Sequence, residues 1–119
     1  MTKRLDTRWI AAKQFMAAEE QKLTLGKLDR LSREFLDWVA VRCQSIEPLY
    51  IQEIVMESDI ASPATVHKSI KILQQAKLIV VEVDPSDHRR RSVAPTALAL
   101  DELKTMDKIF QNWVKKLTA

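Results

Sequence analysis

The sequence predicts a mainly α-helical domain with one small β-element, and three observations carry that expectation. A single glycine and four prolines among 119 residues favour long helices over hairpins. Apolar residues recur at spacings of three and four over several long segments, which is the helical period. One short β-branched run, Leu78-Ile79-Val80-Val81-Glu82-Val83, stands apart and is followed at once by turn formers.

Taken in order, a first apolar stripe runs Leu5, Trp9, Ala12, Met16 and Leu23, and should break near Thr24-Leu25-Gly26. A second runs Leu28, Leu31, Phe35, Trp38, Val39, Arg42, Cys43 and Ile46. It should end at or before Glu47, because Pro48 disfavours the α region in its predecessor. Leu49 to Ser58, with Ile51, Ile54 and Val55, accommodates two or three turns of helix. Ser62-Pro63-Ala64-Thr65 is a helix start: serine caps free amides, and proline at the first position has no N–H to leave unpaired. The helix that follows carries Val66, Ile70 and Leu73 on one face and should end near Ala76-Lys77. After the β-branched run, Asp84-Pro85-Ser86-Asp87-His88 turns the chain and Arg89 to Ala94 returns as a second strand. Pro95-Thr96 marks a last boundary with a cap. Ala97 to Leu117 is then a long helix whose seam is Ala99, Leu103, Met106, Phe110, Trp113 and Leu117.

Composition excludes several classes. Apolar residues make up 46% and charged residues 29%, the mixture of a folded globular chain. One domain over residues 1–119 is expected, with helices in 1–46, the middle module in 47–96 and a last helix in 97–119. No apolar run is long enough to span a bilayer, and no apolar stretch follows the charged start, so a cytoplasmic protein without membrane contact is expected. The lone Cys43 rules out an internal disulfide; on its helical stripe it reads as a small core residue rather than a redox sensor. His67 and His88 lack a third ligand at useful spacing, and neither neighbours a plausible nucleophile. Glu19-Glu20 is a surface doublet, and there is no phosphate-binding glycine loop. No metal, no cofactor and no catalytic residue are therefore expected.

The net charge of +3 is unevenly spread. Residues 47–95 are slightly acidic overall, yet Asp59 to Leu78 holds three lysines against one acid, and Arg89-Arg90-Arg91 stand together. Helix, short helix, turn, capped helix and a ribbon with a basic return make a helix-turn-helix followed by a wing. With Val66, Ile70 and Leu73 turned inward, Ala64, Thr65, Lys68, Lys71 and Gln75 face outward and His67 lies at the margin. Small, polar and lysine side chains on one helix face suit a DNA major groove, and the first turn at Pro63 to Thr65 offers amides to a phosphate. In the wing, Arg89, Arg90 and Arg91 would alternate sides as a strand, with Asp87 orienting a guanidinium at the tip. The plainer alternatives are an ordinary solvated lysine face and an edge strand protected by its arginines. All seven aromatic residues lie at or before Tyr50 or from Phe110 onward, which disfavours stacking on single strands. A protein-interaction module built on the same fold is the rival function, with Ile72 as the one residue leaning that way.

The stretch from Ile51 to about Thr96 resembles the winged-helix regulators of the bacterial multiple-antibiotic-resistance (MarR) family. The residues that carry the resemblance are Ser62-Pro63-Ala64-Thr65-Val66-His67-Lys68 leading to Leu73 and Leu78-Ile79. Asp84-Pro85-Ser86-Asp87-His88-Arg89-Arg90 in the wing and Thr96 opening the last helix complete the set. The resemblance implies a homodimeric transcription regulator on near-palindromic double-stranded DNA. Thr65 to Lys71 would lie in the major groove with Ser62 as the cap, and Arg89 at the wing tip. It also implies a possible pocket for an unidentified small-molecule effector. The sequence departs from such regulators in length, with 23 residues after Thr96, and in having Ser58-Asp59-Ile60-Ala61 where the turn usually holds glycine. The last seam either packs on the chain's own first helices or pairs with a second copy. With Trp9 and Phe15 near one end and Leu103, Met106, Phe110, Trp113 and Leu117 near the other, an intertwined dimer built from both ends is favoured.

Overall fold

The computed structural model describes residues 4–45 and 48–118. Five helices and three strands follow in the order α1 (Arg8–Glu20), a 3-10 turn (Thr24–Lys27), α2 (Arg30–Arg42), β1 (Leu49–Tyr50), α3 (Ile51–Glu57), α4 (Pro63–Gln75), β2 (Ile79–Val83), β3 (Arg91–Pro95) and α5 (Ala97–Thr118). The mainly helical class with a small β-wing holds. Two compact units divide the chain: Leu28–Leu100 forms one, and the two ends, up to Lys27 and from Asp101, form the other.

Local chemistry sets most boundaries. The Asp6 carboxylate accepts from the Arg8 amide at 3.0 Å and the Arg8 guanidinium draws its pKa down to about 2, so α1 starts at Arg8 and Leu5 stays outside it. Asp29 caps α2 by accepting from the Ser32 amide at 3.1 Å. That helix ends at Arg42, before the expected limit at Glu47; Ile46 and Glu47 themselves, like Met1 to Lys3, lie outside the described residues. Ser62 caps α4 as expected: its Oγ accepts from the Thr65 amide at 3.4 Å and lies 3.0 Å from Thr65 Oγ1, with Pro63 in the first turn.

The central unit is built on one buried set. Phe35, Leu36 and Val39 of α2, Ile54 of α3 and Val66, Ile70 and Leu73 of α4 are buried together with Leu49, Leu78, Ile79, Val93 and Ala99. Each of these side chains other than Ala99 contributes about 1.5–3 kcal/mol through its removal from water. The expected spacing of Val66, Ile70 and Leu73 is what brings α4 onto α2. Cys43 is half-buried, with its Sγ 3.7 Å from the Val93 carbonyl.

Two expectations about the β-structure need correction. The two-stranded ribbon is a three-stranded antiparallel sheet in the order β1-β3-β2. Leu49 and Tyr50, expected in a helix, pair instead with Val93 and Ser92 of β3. Leu49, Val93 and Val81 thus form one cross-strand row facing the core, a pairing distant in sequence that outweighs local helical preference. The return strand starts at Arg91, two residues later than expected, so Arg89 and Arg90 belong to the turn and do not alternate across a sheet. The turn closes with the Asp84 amide donating to the Arg90 carbonyl at 2.9 Å.

Two non-glycine residues hold left-handed backbone and shape the helix-turn-helix. Asp59, at φ 50°, makes the turn between α3 and α4 where glycine is missing. Lys77, at φ 62°, ends α4: its amide donates to the Gln74 carbonyl and the Leu78 amide to the Leu73 carbonyl, both at 3.0 Å. Gly26 answers a different need, since its φ is not positive but an added Cβ would lie 2.5 Å from the Glu20 carbonyl oxygen. In the same end unit, Glu102 is buried and accepts from the Thr24 and Leu25 amides at 3.2 and 3.0 Å.

Because the Lys77 backbone has the conformation that glycine adopts without a Cβ clash, Lys77→Gly should raise stability by about 0.5–1 kcal/mol. Thermal unfolding checks this, and a lower midpoint would mean that the lysine side chain contributes more than its backbone costs.

Candidate nucleic-acid interface

Helix α4 presents two unlike faces. Val66, Ser69, Ile70 and Leu73 are buried, while Pro63, Ala64, His67, Lys68, Lys71, Gln74 and Gln75 are exposed and Thr65 and Ile72 are half-buried. Neither lysine forms an ion pair among the described residues, so both charges remain available to an anion. Ser62 sits at the head of this face. The first turn has fewer free amides than expected: Pro63 has none and Ser62 takes that of Thr65, which leaves the Ala64 amide.

The wing turn is tied by two aspartates. Asp84 Oδ1 accepts from the Ser86 amide at 2.9 Å and from its hydroxyl at 2.8 Å, and Asp84 Oδ2 accepts from the Tyr50 hydroxyl at 3.1 Å. The Ser86 amide and hydroxyl, with Tyr50, hold the Asp84 carboxyl below the usual carboxylate range; burial and the neighbouring carboxylate push the Tyr50 hydroxyl up. Asp87 Oδ1 accepts from the Arg89 amide at 3.0 Å and from its Nε at 3.3 Å. Arg89 nevertheless keeps a side chain 92% exposed, at the outer end of the wing.

The three arginines are therefore placed differently. Arg89 stands at the tip on Asp87, Arg91 is exposed in β3, and Arg90 lies over the Tyr50 ring with its guanidinium carbon 3.7 Å from the centroid. All three line one open cleft of about 520 Å³, together with His67 of α4, His88 of the wing and Tyr50, Ile51, Gln52 and Val55. Thus the three wing arginines and His67 of α4 border a shared concavity, where a polyanionic strand would meet several cations at once. Tyr50 is the component that sequence reasoning missed. Its one signal, a lone aromatic among polar and aliphatic neighbours, acquires meaning only when β1 is seen to lie beside the arginines.

The residues assigned to dimerisation fall in the end unit. Phe15 and Trp113 meet within the chain, ring centroids 4.9 Å apart, and Leu103 and Met106 are half-buried. Trp9 is 70% exposed, Phe110 49% and Leu117 48%. Among the described residues, no cluster of His, Cys, Asp or Glu is placed to hold a metal ion, and no helix is long and apolar enough to cross a membrane.

No protein-family profile matches the sequence, and no curated protein is significantly similar to it. Solved structures do match, over nearly the whole chain. The Staphylococcus aureus MepR–DNA complex superposes with a TM-score of 0.72 at 22% identity, covering 93% of this chain and 79% of that one. A MepR variant bound to an oligodeoxyribonucleotide gives 0.73 at 16% identity, over 97% and 83%. MarR itself gives 0.60 at 17% identity, over 91% and 74%. The chain has the MarR-like winged-helix fold, and its structural neighbours include transcription regulators solved on DNA.

A depressed carboxyl contributes stability above its ordinary pKa and loses it as pH falls through the folded value. The Ser86 amide resonance should therefore hold its position from neutral pH down to about 4 and shift with a midpoint below about 3.9. Asp84→Asn should abolish that titration. A Ser86 resonance indifferent to pH down to about 2 would contradict the carboxylate tie.

Proposed function

We propose that this chain is a transcription regulator that binds double-stranded DNA sequence-specifically, as a homodimer on a near-palindromic site. One observation carries the reading: Lys68 and Lys71 of α4 are exposed and unpaired among the described residues, while His67 and three wing arginines converge on one cleft. In this reading Ser62, Pro63, Ala64, Thr65, His67, Lys68 and Lys71 form the major-groove surface. Arg89, Arg90 and Arg91 meet phosphates or a minor groove, and Asp87 positions the tip. The DNA-bound neighbours of like fold support the same assignment. The reading makes the protein a binder, not an enzyme.

Two copies are proposed because one module offers a small contact area and because the end unit leaves Trp9, Phe110 and Leu117 uncovered. Three large apolar side chains left exposed in that unit are available to a partner, and a second copy doubles the DNA contact while imposing two-fold symmetry.

The test is titration into mixed duplex DNA at low and moderate salt, with an Arg89→Ala/Arg90→Ala variant alongside. Salt-sensitive binding that the variant loses is expected. Lys68→Ala and Lys71→Ala should each weaken binding and lower the slope of log K against log salt by about one unit. Unchanged slopes in both would remove α4 as the DNA-contacting element, and no binding at low salt would favour the protein-interaction alternative.

Phe110→Asp should convert a dimer into a folded monomer, read as a halved mass by sedimentation with helical content retained. Trp113→Asp, which breaks the Phe15 pairing, should instead destabilise the end unit by about 2 kcal/mol or more. A Phe110→Asp protein that stays dimeric would place the interface elsewhere.

A further inference from the structure

We infer that Tyr50 is a positioning residue of the interface. It carries Arg90 on its ring, holding that arginine in the cleft beside His67 while Arg89 stays at the tip, so the wing engages DNA at two separate places. The inference rests on the DNA-binding reading and adds to it a residue outside both α4 and the wing.

Both ends of Arg90 are held by one couple. The Tyr50 ring lies under the guanidinium at 3.7 Å, its hydroxyl donates to Asp84 at 3.1 Å, and the Asp84 amide donates to the Arg90 carbonyl at 2.9 Å. Tyr50 is itself fixed by pairing with Ser92 in β3. Arg89 is organised by other means, through Asp87 two residues before it. Among the described residues Arg90 has no acidic partner, so its charge is not neutralised in place. A guanidinium stacked on an aromatic face keeps its N–H donors at the edge of the plane, where they can fork onto a phosphate without first being ordered. The aromatic ring thus orders a long side chain whose immobilisation would otherwise oppose binding.

The experiment measures duplex affinity by anisotropy at two salt concentrations for wild type, Tyr50→Leu, Tyr50→Phe and Arg90→Ala. The doubles Tyr50→Leu/Arg90→Ala and Tyr50→Leu/Arg89→Ala complete the set. Tyr50→Leu should bind about three- to tenfold more weakly, as expected for loss of a cation–π support. Tyr50→Phe, which keeps the ring, should stay within about twofold of wild type. The Tyr50→Leu loss should vanish in the Arg90→Ala background and persist in the Arg89→Ala background, a pattern that a general structural role would not produce. Wild-type affinity in Tyr50→Leu, or losses that simply multiply in Tyr50→Leu/Arg90→Ala, would overturn the inference and leave the DNA reading intact. Failure of the wild type to bind duplex would overturn both.

Should Tyr50→Leu fail to fold, Arg90→Lys asks the same question from the other side. A lysine keeps the charge but not the planar stack, so a loss comparable to that of Tyr50→Leu is expected. Full affinity in Arg90→Lys would overturn the inference.

Discussion

Thr96 is where the parts of the central unit are tied to one another. Its hydroxyl donates to the Lys77 carbonyl at 2.7 Å and accepts from the Ala99 amide at 3.2 Å, and its own amide donates to the Leu78 carbonyl at 3.0 Å. One residue therefore joins the end of α4, the approach to β2 and the start of α5. The Lys77 carbonyl is available there because its residue turns left-handed, and the Leu78 amide is free to close the helix for the same reason. The strained residue and the threonine form one device: the first ends α4 abruptly, and the second ties that end to the first turn of α5.

From this junction the placement of charge follows. β2 leaves Leu78 and its hairpin returns through β3, which lies between β2 and the two residues of β1. That order brings Tyr50 to the wing, beside Arg90. Asp84 and Asp87 spend their carboxylates on the turn itself, so two acids beside three arginines organise the cationic surface more than they cancel it. Burying Glu102 against two backbone amides in the end unit is the same strategy applied to a helix end.

What was legible in the sequence was what local chemistry decides. Ser62-Pro63 announced the start of α4, the four-and-three spacing of Val66, Ile70 and Leu73 announced its buried face, and Thr96 announced the last helix. The exposure of Ala64, Lys68, Lys71 and Gln75 on α4 follows from that periodicity, whereas Thr65, expected beside them, is half-buried. What was not legible depends on distant partners. Leu49 and Tyr50 carry no strand signal of their own length, because two residues become a strand only when β3 arrives beside them. Arg89 and Arg90 looked like strand residues until Asp87 bent the backbone onto itself. The absence of glycine from the turn was visible, but not that Asp59 takes the left-handed conformation in its place.

The order of the sheet also bears on how quickly it forms. β2 and β3 are neighbours in sequence and can pair as a hairpin early, at the cost of one short loop. The pairing of β1 with β3 closes a far longer loop that contains α3, α4 and β2, and long-range pairing of this kind must wait until its loop-closure entropy is repaid by other contacts. The topology therefore allows the β2–β3 hairpin to form before β1 joins it and brings Tyr50 to the wing. A chain in which that pairing had not yet formed would hold the β2–β3 hairpin without Tyr50 beside its arginines.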